Sequence, residues 1–120
     1  MTERSGQDLI DDAKRQIEEV TPEQVRDMQA RDEEVVYLDV REPNEWNLGR
    51  LPKAIHLPRG NLETKVEGLI DRKQKVVVYC ARGNRSALAA LTMKQMGYQN
   101  VSSMSRGFLG WADIGGEVVD

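Results

Sequence analysis

Cysteine, histidine and phenylalanine each occur once in this chain of 120 residues, and aromatic side chains make up only 5% of it. A single cysteine excludes an intrachain disulfide, so the fold must hold by packing, and a reducing, cytoplasmic location is expected. The single histidine, His56, has no second histidine or acid pattern beside it. It is read as a packed residue of a short apolar segment rather than as a base, and neither metal nor cofactor is expected. No apolar run is long enough to span a bilayer. The first eight residues carry no apolar core of the kind a secretory signal needs. Neither a membrane nor export is therefore part of the reading. The net charge of -3 leaves no basic footprint, so nucleic acid is not an expected partner. Internal repeats, low-complexity tracts and interdomain linkers are all missing. What remains is a composition of 39% hydrophobic and 31% charged residues, ordinary for one globular domain.

Within that frame the chain alternates between two periodicities. Residues 8–19 place Leu9, Ile10, Ala13 and Ile17 on one face and predict a short amphipathic helix. Thr21-Pro22-Glu23-Gln24 predicts a second helix start, with threonine as N-cap, proline first inside and glutamine three residues on. Glu34 to Val40 reads as a buried strand, Pro43 to Leu48 as a helical turn closed by Gly49, and Ala54 to Pro58 as a short strand. Helical spacing over 61–71 is followed by the strand Lys75 to Tyr79. A helix over Ser86 to Met96 then ends at Gly97. Asn100 to Met104 is a last strand, and 107–113 a short helix. Strands alternating with helices predict an α/β fold of three layers, a central mostly parallel sheet covered by helices on both faces. Residues 1–20 are read as an N-terminal helical extension and 21–120 as the domain.

The segment Cys80-Ala81-Arg82-Gly83-Asn84-Arg85 joins the apolar run Val76-Val77-Val78-Tyr79 to the helix-forming run that starts at Ser86. A lone cysteine after valines is often only a small core residue. Here, however, it falls where the strand ends, and mostly polar positions follow. In parallel α/β sheets, sites lie beyond the carboxyl ends of strands, beside helix N-termini. Helix N–H groups and nearby arginines favour a thiolate, the nucleophilic form of cysteine. The segment is built to hold a sulfur anion.

These residues have a family likeness. Cys80-Ala81-Arg82-Gly83-Asn84-Arg85-Ser86 resembles the active-site loop of the rhodanese family of sulfurtransferases. Leu38-Asp39-Val40-Arg41-Glu42 with Glu45-Trp46 and Gly49 resembles that family's first signature. Pro52, Ala54, Ile55 and Leu57-Pro58 resemble the element that follows it, and Gly107 to Trp111 with Gly115-Gly116 resembles the C-terminal signature. The likeness runs in order from about Thr21 to Val119. The chain departs from the family at Gly49-Arg50-Leu51, where Gly-His-Ile is common, and at Lys53, where glycine is common.

The resemblance implies a rhodanese-like fold and a two-step transfer. Cys80 would take a sulfur from an anionic donor such as thiosulfate, forming a persulfide, and pass it to cyanide, a thiol or a protein acceptor. Arg82 and Arg85 would meet the donor, with Arg85 also bracing the loop. Ala81, Gly83 and Asn84 would complete the cradle, and Gly83 would permit the tight turn. Ser86 is read as a helix cap, Asp39 and Arg41 as a supporting ion pair, Glu42 and Glu45 as solvent-facing or locally bonded, and Trp46 and Trp111 as core or rim. Three alternatives stand beside this one: a noncatalytic binding module, a mercaptopyruvate-type sulfurtransferase, and a phosphatase. Phosphatases of related fold place five residues between their loop cysteine and arginine. Here Ala81 to Asn84 are four.

Overall fold

The computed structural model describes residues 3–120. Its elements are α1 (Gly6–Gln16), β1 (Glu18–Val20), α2 (Pro22–Ala30), β2 (Val36–Asp39), α3 (Pro43–Asn47), β3 (Ile55–His56), α4 (Leu62–Leu69), β4 (Lys75–Tyr79), α5 (Asn84–Gln95), β5 (Asn100–Met104) and α6 (Gly107–Asp113). The strands form one sheet in the order β1-β5-β4-β2-β3, and every pairing is parallel. The central strand is β4, the valine run, which is buried on both faces as parallel strands are.

Side-chain alternation along β4 feeds two cores. Val76, Val78 and Cys80 join Leu38, Leu62, Val66, Ala89, Ala90 and Met93 beneath α4 and α5. Val77 and Tyr79 join Val25, Met28, Tyr37, Met104 and Trp111 beneath α2 and α6. The three-layer expectation therefore holds. Trp111 is fully buried and its indole Nε1 donates to the Glu117 carbonyl at 2.8 Å, which pins the tail. Among the described residues, no helix is long and apolar enough to cross a membrane.

Local chemistry explains most boundaries. Thr21 caps α2 as expected: its hydroxyl accepts the Gln24 N–H at 3.1 Å, and the Gln24 side chain accepts the Thr21 N–H at 2.8 Å. Gly97 follows α5 at φ +99°, a left-handed conformation that suits glycine. Lys53 stands at φ +65°, so the position where glycine is common in the resembled family is one with a left-handed backbone.

Most boundaries shift by a residue or two from the sequence reading, and two of the differences matter for the sheet and the site. The helix predicted over 8–19 stops at Gln16, and Glu18-Glu19-Val20 instead forms the edge strand β1 against Ser102–Met104. The pairing partner, not local propensity, makes that strand, and its acidic residues suit an exposed edge. The helix predicted to begin at Ser86 begins at Asn84.

Helix α6 sits directly behind the cysteine loop. A Cβ added to Gly107 would lie 2.5 Å from the Cys80 carbonyl oxygen and 2.6 Å from the Ala81 carbonyl carbon, and the residue has φ +55°. Backbone cannot yield to such a clash as a flexible side chain can. Gly107→Ala is therefore expected to lower stability by about 1–3 kcal/mol and to displace the loop. Denaturant unfolding of the variant checks the first outcome, and a wild-type stability would contradict the close approach.

Candidate active site

The sulfur of Cys80 lies just past the carboxyl end of β4 and faces the start of α5. Gly83, the residue before that helix, has φ +95°, which turns the chain back toward the strand end. The first N–H groups of a helix have no intrahelical acceptor. Here two donors at this end find the sulfur: the N–H of Gly83 at 3.2 Å and that of Ser86 at 3.3 Å. The Cys80 thiol in turn donates to the Ser86 hydroxyl oxygen at 3.4 Å. Two backbone donors, a hydroxyl and a helix N-terminus thus surround one sulfur. Cys80 is only 1% exposed, so what reaches it must be small.

Two clamps hold the loop. From behind, Phe108 donates its N–H to the Cys80 carbonyl at 2.7 Å and Leu109 to the Ala81 carbonyl at 3.1 Å. These bonds point the loop carbonyls away from the sulfur. From the side, Arg85 makes a bidentate pair with Glu45, Nη1 to Oε1 at 2.8 Å and Nη2 to Oε2 at 3.1 Å. The same Oε1 accepts the Glu42 N–H at 3.0 Å. Glu45 does bond locally, as expected, but it also reaches 40 residues along the chain to Arg85, which no local pattern signals. Hydrogen bonding from Arg85 is the main cause that draws the Glu45 carboxyl from its ordinary 4.5 to about 2, against partial burial. In return, the bond to Glu45 raises the pKa of Arg85; the charges of Glu45 and Cys80 add to this against desolvation.

One of the other residues departs from the sequence reading. Ser86 is not the cap of α5; that position belongs to Gly83, and Ser86 lies in the helix's first turn with its hydroxyl 2.7 Å from that of Ser103. Asp39 and Arg41 form the expected ion pair, at 2.7 Å with both side chains buried. However, the pair's bonds run to each other and to the Gly49 carbonyl at 2.6 Å, and none among the described residues reaches 80–86. The Arg41 guanidinium covers the Phe108 ring at 4.3 Å, so the pair supports α3 and α6, which carry the two clamps. Arg82 is exposed and makes no ion pair among the described residues. Ala81 and Asn84 are half-buried on the loop.

His56 packs as expected. Its ring stacks on Trp46 at 4.7 Å between centroids and its Nε2 lies 2.8 Å from the Arg41 carbonyl. No group of three or more His, Cys, Asp or Glu that could hold a metal ion occurs among the described residues. A cleft of about 590 Å³, lined by Gln29, Glu34, Tyr37 and Lys53 among others, contains no residue of the loop.

A family model described as the rhodanese-like domain matches residues 21–114. A protein of Allochromatium vinosum named "Sulfurtransferase" is 31% identical over 103 residues, which cover 86% of this chain and 95% of that protein. "Putative sulfur carrier protein YrkF" of Bacillus subtilis is 32% identical over 95 residues, 79% of this chain and 51% of that protein; the chain spans about half of that relative's length. A solved structure from Rhodopseudomonas palustris, of unknown function and described as a possible tyrosine phosphatase, has a TM-score of 0.89 at 31% identity, over 99% of this chain and 97% of that one.

The Glu45–Arg85 clamp carries a pH signature. A carboxyl whose pKa falls on folding contributes stability that is complete above its ordinary 4.5 and is lost as pH drops toward about 2. Glu45→Gln removes the charge. It is expected to cost about 1 kcal/mol at neutral pH. The gap to wild type should close as the solution is acidified through that window. Thermal melts of both proteins across the range check this. A gap that stayed constant down to acid pH would contradict the ion pair.

Proposed function

Because the chain belongs to the rhodanese-like domain family, whose relatives here bear the names of a sulfurtransferase and a sulfur carrier, we propose that it moves sulfane sulfur from a thiosulfate-type donor through a persulfide on Cys80. The observation that carries this reading is the set of donors aimed at the Cys80 sulfur, the Gly83 and Ser86 N–H groups above all. In the first step the thiolate attacks the outer sulfur of thiosulfate, that sulfur's bond to the sulfonate sulfur breaks, and sulfite leaves with the electron pair. The product is an anionic persulfide. In the second step a nucleophile such as cyanide takes the outer sulfur, leaving as thiocyanate, and the Cys80 sulfur receives the electron pair of the broken bond as a thiolate. No proton need move, and the same donors serve the inner sulfur whenever it is anionic. The Asn84 and Arg85 N–H groups, also in the first turn of α5, have no intrahelical acceptor and suit the outer sulfur.

The arginines divide the work. Arg85 is committed to Glu45, which favours loop bracing, while the exposed Arg82 is available to an approaching dianion. That division supports an inorganic donor over mercaptopyruvate. A noncatalytic module would have no use for donors converging on a thiol. The R. palustris likeness brings the phosphatase reading back, and loop length opposes it. Four residues between Cys80 and Arg85 already let the N–H groups close on a single sulfur at hydrogen-bond distance, which leaves little room for a tetrahedral phosphate.

Three outcomes are expected. Cys80→Ser should abolish thiocyanate formation from thiosulfate and cyanide while the protein still folds, because a hydroxyl is a far weaker nucleophile at neutral pH. Retained turnover in that variant would overturn the mechanism. Arg82→Ala should raise KM for thiosulfate by about tenfold, the scale of one charge-assisted hydrogen bond, with a smaller effect on a neutral donor. Wild-type protein should show no appreciable hydrolysis of an aryl phosphate; efficient hydrolysis would restore the phosphatase reading.

A further inference from the structure

Ser86 and Ser103 are both fully buried, and their hydroxyls lie 2.7 Å apart. Ser86 sits in the first turn of α5 and Ser103 on β5, so the contact joins two elements across the floor of the site. Each hydroxyl has one hydrogen to give. As a thiol, Cys80 donates to the Ser86 oxygen at 3.4 Å; an anionic sulfur can only accept, and the Ser86 hydrogen then has two possible acceptors, the Cys80 sulfur and the Ser103 oxygen. It can serve only one of them. The Ser103 hydroxyl makes no other hydrogen bond among the described residues, so Ser86 is also the single acceptor for its hydrogen.

These constraints order the two hydrogens. If Ser86 donates to Ser103, the sulfur loses a donor and the Ser103 hydrogen is left buried with no acceptor. If Ser103 donates to Ser86, the Ser86 hydrogen is released toward the sulfur and every group is satisfied. Unsatisfied buried donors are costly, and chains of hydroxyls polarise one another. The second arrangement is the one that suits an anionic sulfur.

Resting on the persulfide reading above, we propose that Ser103 is a positioning residue that aims the Ser86 hydroxyl at the Cys80 sulfur. Its effect falls mainly on the second step. There the bond between the two sulfurs breaks and negative charge develops on the inner sulfur, the atom that Ser86 faces. In the resting persulfide the charge lies chiefly on the outer sulfur, so the hydroxyl pair acts on a charge that grows in the transition state.

The test is a double-mutant cycle on the preformed persulfide, with release of thiocyanate to cyanide followed in a single turnover. Ser103→Ala should slow discharge by about three- to tenfold, the size expected for one hydrogen bond acting through another. Ser86→Ala should slow it at least as much. The double variant should match Ser86→Ala alone, because Ser103 works only through Ser86. Ser103→Thr, which restores the hydroxyl, should recover most of the rate. Additive losses, a wild-type rate in folded Ser103→Ala, or a threonine variant as slow as the alanine one would each overturn the proposal. Alkylation of the resting thiol by iodoacetamide in the same four proteins does not depend on sulfur transfer. Ser103→Ala should change that rate when Ser86 is intact and leave it unchanged in the Ser86→Ala background. If wild type forms no persulfide, the sulfurtransferase reading falls, while the alkylation cycle still decides the role of Ser103.

Discussion

Everything at this site depends on backbone N–H groups converging on one sulfur atom at the end of a buried strand. Such convergence is a geometric demand before it is an electrostatic one. A strand must stop, the chain must reverse, and a helix must begin with only the four residues Cys80 to Gly83 in between. Gly83 makes the reversal at φ +95°, and α5 starts at the next residue. A side chain there would bring a Cβ within 3.3 Å of the Arg106 N and 3.4 Å of the Met104 carbonyl oxygen, besides straining the turn. Glycine is required by both conformation and space.

The rest of the fold can be understood as support for that turn. The central position of β4 fixes the strand end from both sides, since β2 and β5 pair with it. Helix α6 holds the loop carbonyls from one side, and Glu45 on α3 holds Arg85 from another. Those two elements are themselves tied by the buried Asp39–Arg41 pair, whose guanidinium bonds the Gly49 carbonyl after α3 and covers Phe108 on α6. A buried ion pair is weak evidence for stability in general. Its position between two clamps favours a role in setting geometry.

Much of this was legible from the residues in order, because the signals are local. The valine run, the threonine cap at Thr21 and the glycine after α5 act over three or four residues, and each fell where expected. The Cys80 to Arg85 segment could be placed at a strand end for the same reason. What could not be read depends on partners distant in sequence. Glu18-Glu19-Val20 has no strand pattern of its own and becomes one by pairing with Ser102–Met104. Ser86 looks like a cap because serine often is one, yet the turn at Gly83 starts the helix two residues earlier and leaves the hydroxyl for Ser103. Glu45 gives no hint of Arg85 until the fold brings α3 beside the loop.

In the proposed transfer the donors at the loop serve one chemical state, an anionic sulfur on Cys80 or on the atom it would carry. The most direct measurement is the intact mass of the protein after incubation with thiosulfate, followed by peptide mapping and treatment with cyanide. One added sulfur, located on Cys80 and removed by cyanide, is the predicted result. A mass that does not change, or an adduct that cyanide leaves in place, would contradict it.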